Sequence, residues 1–315
     1  MKIIVTGALG HIGSYVIRDL AVEFPNSEIV IIDNMMTQRF PSLFNLPAEG
    51  NYHFIEGDVK DMDLNTVFSN TNVVLHLAAI TDAAGSFERA QELEENNYQS
   101  TLKIANACSE TGASLIALSS TSVYGTQNDV VDEDCTLEEL QPQSPYAIVK
   151  LKEEEMITQL IKVKGLKAIS CRFGTIFGSS AGMRFHTAVN KFCWQAVMKK
   201  PISVWSTAYD QKRPYLDLLD ASRAISHIIK KDLFDGEIYN VITQNSTVRE
   251  VVETIREYVP ELKIEFVDNK IMNQLSYEVL SEKFKATGFV PKGDLRKGIE
   301  KTITLLYNSN NLSKN

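Results

Sequence analysis

MKIIVTGALGHIG, residues 1–13, decides the fold. A short β-prone run from Lys2 to Thr6 breaks at Gly7, and a helical pattern begins after Gly10. Gly7, Gly10 and Gly13 leave this strand-to-helix turn without side chains, so backbone can approach a pyrophosphate at the helix amino end. Their spacing is GxxGxxG in place of the usual GxGxxG, and a merely tight connection would also use such glycines. Asp33 favours the phosphate reading. It closes a second strand, EIVIID at 28–33, twenty residues after Gly13, where a carboxylate can bind an adenosine ribose diol and repel a 2′-phosphate. Asn34, Met35 and Met36 follow, none of them an Arg to pair a 2′-phosphate, so the pattern favours NAD over NADP.

Outward from that turn, strand-like runs at 2–7, 28–33, 52–58, 72–79, 113–120 and 167–173 alternate with helix candidates at 11–24, 62–69, 87–111 and 145–164. Such alternation implies an α/β fold, a Rossmann-type doubly wound parallel sheet covered on both faces. Ser144 and Pro145 mark the start of the last helix as N-cap and first-turn proline. After Arg172 the pattern changes to a Gly/Ser-rich stretch (173–182), a helix candidate near 186–199, and mixed short elements to about residue 305. The expectation is a main domain over 1–173 and a smaller mixed α/β lobe over 174–315, some of whose segments return to the main domain. The polar, acidic sequence between Gly125 and Gln143 reads as a surface loop, and NSNNLSKN (308–315) as a frayed tail.

Composition removes other classes. The 315 residues, 44% hydrophobic and 23% charged, can bury a sizeable core without staples. Forty acidic residues against 32 basic ones give a net charge of −8 and a pI near 5.3, which would repel a phosphate backbone; no nucleic-acid partner is expected. A small anionic substrate stays compatible, because local Arg side chains and helix amino ends bind phosphate inside acidic proteins. Cys108, Cys135, Cys171 and Cys193 are at least 22 residues apart and the five histidines form no HExxH, so neither a disulfide framework nor a metal site is expected. No apolar run approaches membrane length, and the first residues turn glycine-rich before a signal-peptide core develops; a cytoplasmic protein without a membrane partner is the expectation.

Tyr146 and Lys150 form a YxxxK pair at the start of the helix over 145–164, and positions four apart share one helix face. Both can therefore meet one ligand. A free Tyr titrates near 10, so service as a base at neutral pH needs a shift of about 3 units, roughly 4 kcal/mol. A nearby ammonium and a cationic nicotinamide ring both favour the phenolate. Ser119 and Ser120 end the preceding strand at the carboxyl edge of the sheet, where ligands bind in doubly wound folds, and a hydroxyl there can orient a substrate alcohol for Tyr146. The spacing alone also permits a solvated Tyr–Lys pair.

Together these residues resemble the extended short-chain dehydrogenase/reductase superfamily, in its NAD-dependent nucleotide-sugar epimerase/dehydratase family, over nearly the whole chain. GDV (57–59), LHLAA (75–79), NYQST (97–101), SSTSVYG (119–125) and SPY (144–146) match that branch in order. So do CRFGTIFG (171–178), VNKF (189–192), RPYLDLLDASRA (213–224) and IYNV (238–241). The resemblance implies NAD as cofactor, a nucleotide-diphosphate sugar as substrate, and a homodimer that pairs helices 87–111 and 145–164 across a two-fold axis. It implies that Asp58 and Val59 hold the adenine, that Leu77, Ala78 and Ala79 line the dinucleotide with His11, Ile12, Asn34 and Asn97 beside them, and that Lys150 also bonds the nicotinamide ribose. Ser120 takes the place of the family's catalytic Ser or Thr. Arg213 matches the Arg that pairs the substrate diphosphate, Asn190 a second substrate position, and Thr81, Ser86, Thr121 and Thr175 fall where the substrate is faced. Core packing is the alternative for Val59, Leu77 and Ala78, a helix-to-loop tie for Asn97, a helix-face amide for Asn190 and a surface ion pair for Arg213.

Branch chemistry begins with oxidation of a sugar alcohol, most often at carbon four. The 4,6-dehydratases of the family carry an Asp–Glu pair where this chain has Thr121 and Ser122, and eliminating water needs that second acid and base. The 3,5-epimerase relatives place a Cys nearby, and none lies between Cys108 and Cys135. What remains is a 4-epimerase, or a net 4-dehydrogenase or 4-ketoreductase. A non-catalytic NAD sensor on the same fold is a further alternative, against which the retained Ser, Tyr and Lys argue. Thr175 stands where the family usually has Asn, and SSAGMRFH (179–186) is similar to the substrate lobe of the sulfoquinovose-synthase style, which implies an unusual sugar or base.

Overall fold

A computed structural model of the chain describes residues 1–81, 87, 89–125, 129–136, 138–267 and 276–309. The first half runs β1 (Lys2–Thr6), α1 (His11–Glu23), β2 (Glu28–Asp33), β3 (Asn51–Glu56), α2 (Leu64–Val67), β4 (Val73–His76) and α3 (Ala90–Thr111). It continues through β5 (Ser114–Ser120), β6 (Val130–Val131), α4 (Pro145–Lys164) and β7 (Ala168–Phe173). Then come β8 (Thr175–Phe177), α5 (Ala188–Val197), β9 (Ile202–Trp205), β10 (Lys212–Asp217), α6 (Leu218–Lys231) and β11 (Ile238–Val241). The chain closes with β12 (Gln244–Thr247), α7 (Val248–Tyr258), β13 (Ile264–Val267), β14 (Glu278–Val279), α8 (Glu282–Ala286) and α9 (Leu295–Ser309).

The main sheet has the order β11-β7-β5-β4-β1-β2-β3 among the described residues, and each neighbouring pair is parallel. Alternation along β1 builds the two layers. Ile3 and Val5 pack with Val16, Ile17 and Leu20 of α1 and Ile225 and Ile228 of α6; Ile4 packs oppositely with Ile104 and Cys108 of α3 and Met156 and Ile157 of α4. Strand order reverses between β1 and β4, so the crevice at the carboxyl ends of these strands is the natural ligand position.

Ser144 Oγ accepts from the Ala147 amide at 3.2 Å, Pro145 occupies the first turn, and Gly165 ends α4 at φ 67°. The remaining elements form a second core, in which Phe177, Phe192, Val251, Ile255 and Ile299 join β8, α5, α7 and α9. Three segments of the carboxyl half join the main sheet: β11 extends it beside β7, α6 packs with α1, and Phe284 of α8 packs with Tyr239 of β11 in the same core. The Gly125–Gln143 stretch is more than surface loop. Its β6 pairs in parallel with β14, and Val131 and Leu140 are buried with Tyr124 and Tyr277, two apolar anchors that the acidic composition outvoted. Residues 310–315 of the expected tail lie outside the described residues. No described helix is long and apolar enough to cross a membrane.

Candidate active site

The carboxyl ends of β1, β2, β4 and β5 open into one cavity of about 530 Å³. Gly7 stands there at φ +64°, and a Cβ on it would lie 2.6 Å from the backbone of Ala78. Only a residue without a side chain lets the turn after β1 come this close to the end of β4. Gly10 is the N-cap of α1, extended and without a side-chain cap, which leaves the first amides of the helix for an anion. Asp33 accepts from the Leu9 amide at 3.0 Å and from the Met35 amide at 3.0 Å, so the carboxylate is fixed beside the glycine turn. Asn34 donates to Asp58 at 3.0 Å. A glycine cradle that a Cβ would fill, an open helix amino end and a carboxylate at the tip of β2 fit a dinucleotide.

Of the residues singled out from sequence, Gly7, Gly10, His11, Ile12, Gly13, Asp33, Asn34, Asp58, Val59, Leu77, Ala78 and Ala79 line this cavity. Thr81, Ser120, Tyr146, Lys150 and Thr175 line it too. Four others are absent from its described lining. Asn97 is buried and ties α3 to the loop after β4, accepting from the Ile80 amide at 2.8 Å and donating to the Ile80 carbonyl at 2.9 Å. Thr121 donates to the Phe173 carbonyl at 3.3 Å. Asn190 is spent on both backbone groups of Gly178, at 3.2 and 3.1 Å, with His11 at 3.3 Å. Arg213 bonds the Lys212 carbonyl and Gln211, and its guanidinium stacks over Tyr277 at 5.3 Å. Ser86 lies outside the described residues.

The catalytic candidates come from three elements. Ser120, at the end of β5, accepts from the Ser122 amide at 3.2 Å and the Ser122 hydroxyl at 2.9 Å, which leaves its own proton free to donate into the cavity. Ser119 beside it keeps a buried hydroxyl with no partner among the described residues. On α4, Lys150 Nζ lies 5.9 Å from the centre of the Tyr146 ring. The ammonium is paired. Glu153, one turn on, holds it at 2.8 Å, both side chains being buried. Burial raises the Tyr146 pKa above the ordinary phenol value, Lys150 and Arg184 pull it down, and Glu153 adds to the rise; the balance is upward.

Sequence reasoning missed two lining cations. Arg39 sits six residues beyond Asp33, and left-handed backbone at Met35 and Gln38 turns its loop back over the glycine turn. Burial, then the charge of Arg184, lowers the Arg39 pKa to about 10 against the opposing pull of Asp33. Arg184 bonds the hydroxyl of Thr81 across the cavity. A signal for it existed in Gly182: a Cβ there would stand 2.2 Å from the Leu9 carbonyl oxygen, so this segment lies directly on the phosphate turn. His11 fastens the same contact, bonding Ser180 at 2.9 Å. Among the described lining residues Asp33 and Asp58 are the carboxylates, and both belong to the β2–β3 side, across β1 from Ser120.

Known proteins resemble the chain over nearly its whole length. The model of the NAD dependent epimerase/dehydratase family matches residues 3–241. The chain is 28% identical over 317 residues to the trifunctional UDP-glucose 4,6-dehydratase/UDP-4-keto-6-deoxy-D-glucose 3,5-epimerase/UDP-4-keto-L-rhamnose-reductase RHM2 of Arabidopsis thaliana; the match takes 96% of this chain and 46% of that protein, so the chain spans about half the length of this relative. It is 26% identical to the uncharacterized UDP-glucose epimerase YtcB of Bacillus subtilis, over 97% and 98% of the two chains. The solved UDP-glucuronic acid 4-epimerase of Bacillus cereus, in complex with UDP-glucuronic acid and NAD, superposes with a TM-score of 0.87 at 23% identity, covering 98% of this chain and 100% of that one.

Proposed function

We infer the reaction from one premise: the chain belongs to the NAD-dependent epimerase/dehydratase family and is an NAD-dependent enzyme. The reaction we propose is oxidation at carbon four of a nucleotide-linked sugar followed by return of hydride to the opposite face, a nucleotide-sugar 4-epimerisation. The carrying observation is that Ser120, Tyr146 and Lys150 line one cavity with the glycine turn and Asp33, and that among the described lining residues no carboxylate lies on the Ser120 side to serve a dehydratase. Ser120 donates to the sugar oxygen, Tyr146 takes the hydroxyl proton, and Lys150 supports the phenolate. Gly7, Gly10, Gly13 and Asp33 would hold NAD, which when bound would supply the hydride-accepting group beside Tyr146. Arg39 and Arg184 face the anionic part of the ligands, since two cations that disfavour each other's charge are both relieved by an anion between them.

The name of the Bacillus cereus epimerase supports a uridine-linked sugar, whereas the dehydratase activity in the name of RHM2 keeps a ketosugar product in view. Division at residue 173 into a dinucleotide side and a substrate side, a homodimer through α3 and α4, and a cytoplasmic setting belong to the same proposal. Incubation with a panel of nucleotide sugars and NMR of the products tests it. Equilibrium mixtures of carbon-four epimers are expected; accumulation of a 4-ketosugar would replace epimerase by dehydrogenase, and a 4-keto-6-deoxysugar by dehydratase.

A further inference from the structure

We propose that Glu153 is a positioning residue that sets the acidity of Tyr146 by occupying the ammonium of Lys150. The inference rests on Tyr146 as the base of the reaction proposed above. Lys150 projects from α4 toward Tyr146, and its Nζ makes its hydrogen bond to Glu153 Oε2 at 2.8 Å. Glu153 is 4% exposed, so this pair is not a solvated surface contact whose worth water would erase. The second oxygen of the carboxylate, Oε1, is buried with no hydrogen-bond partner. Burial with one oxygen unpartnered raises the Glu153 pKa above the ordinary carboxylate value and Lys150 pulls it back, so the charge on this carboxylate is sustained by that ammonium.

The surroundings do not undo this neutralisation. Glu154, the next residue on α4, is taken by Arg172 of β7 in a two-pronged pair at 2.9 and 2.7 Å, and Arg172 also reaches Tyr124 at 2.9 Å. Thr101 of α3 eases the charge on Glu153 and lies 3.1 Å from His76 Nε2 at the end of β4, whose Nδ1 is 2.8 Å from Thr6 of β1. That ring is neutral: burial, then the charge of Lys150, depresses its pKa to about 3. Four buried charges, Lys150, Glu153, Glu154 and Arg172, therefore sum to zero. Arg184, from the segment across the cavity, is the remaining cation that favours the phenolate. Phenolate formation at Tyr146 in this chain thus needs positive charge beyond Lys150, and Glu153 is the group that imposes the need.

The test is a phenolate difference titration of the dinucleotide-free protein, taking the unaltered chain minus Tyr146→Phe, and Glu153→Gln minus its Tyr146→Phe double variant. Glutamine keeps an oxygen for Lys150 and removes the charge. In the unaltered chain no Tyr146 phenolate signal is expected up to about pH 10; an onset near neutrality overturns the proposal. In Glu153→Gln the onset falls by about one pH unit or more, and where turnover is measurable the acidic limb of the kcat profile falls with it while KM holds. If Glu153→Gln does not fold, Glu153→Asp, too short to keep the 2.8 Å contact, gives a smaller shift in the same direction. An onset that stays in place in a folded variant overturns the proposal. The titration requires no turnover, so failure of the epimerase reading and failure of this inference are told apart.

Discussion

The cavity has two walls of different make. On the sheet side, ligand would meet backbone: Gly7 against Ala78, the uncapped amino end of α1, and a carboxylate pinned by two amides. Elsewhere it would meet cationic and hydroxylic side chains: Arg39 and Thr81 from the loops that follow β2 and β4, Thr175 of β8, and Arg184 from the segment between β8 and α5. The first wall is specified by what is missing from the side chains, and the second by where loops happen to fold back. A backbone site tolerates little change in shape, whereas a side-chain site can be retuned one residue at a time.

The deepest break in this contrast would come at the point where the walls meet. Tyr146→Phe keeps the ring and removes the hydroxyl, so the dinucleotide stays bound while turnover falls about 100- to 10,000-fold. Steady-state rates with the dinucleotide content of the purified protein check both halves. Unchanged turnover would remove Tyr146 from the chemistry and leave the cavity a binding site.

Next in size is Gly7→Ala on the backbone wall. Its Cβ would sit 2.6 Å from Ala78 at a φ of +64°, so the turn must shift, at a cost on the order of 1–3 kcal/mol. The loss should appear in dinucleotide affinity, about tenfold to a hundredfold by fluorescence titration, more than in KM for the sugar. An equal loss for both ligands would mean that the two walls are not separate sites.

Arg184→Ala probes the other wall. The removed charge-assisted bonds are worth about 1.5–3 kcal/mol, expected as a rise in substrate KM of tenfold or more with dinucleotide affinity nearly unchanged. Arg213→Ala should raise KM less, because Arg213 bonds Gln211 and stacks on Tyr277, one strand over and two residues before the Tyr215–Thr175 register pair. Should Arg213→Ala exceed Arg184→Ala, the substrate diphosphate lies nearer β10 than this cavity implies.

The same contrast explains what the sequence could disclose. Six strands of the main sheet, the glycine turn, Asp33 and the Ser144 cap are local patterns in which neighbouring residues carry the signal, and each forms where it is read. The seventh strand, Ile238–Val241, is short and lies beyond a change of pattern, so nothing local joins it to β7. Arg39 and Arg184 carry no periodic signature; their position depends on left-handed backbone at Met35 and on the seating of Gly182 against Leu9. Glu153 was invisible for another reason. The YxxxK spacing identifies which helix face Lys150 shares with Tyr146, but i,i+3 also puts Glu153 within reach, and only burial decides that the ion pair forms there and not in solvent.

Two buried histidines give the most distributed effect, spread over several pH units. His76 is held between Thr6 and Thr101 inside the sheet layer, while His11 joins the start of α1 to Ser180 and to Asn190 of α5. Burial is the first cause in both, and each pKa is depressed to about 3 from an ordinary value of 6.5. Between those values the unfolded chain binds protons that the folded chain refuses, so stability is full above about pH 6.5 and declines as pH falls toward 3. The limiting slope is about 1.4 kcal/mol per pH unit for each ring. Urea midpoints across pH 4 to 7 should fall with acidity, and His76→Gln or His11→Gln should each remove roughly half of that slope. If His11→Gln alone flattens the curve, the far wall comes away from the glycine turn before the sheet unfolds, and the closure made by residues 180–184 is the weaker of the two attachments.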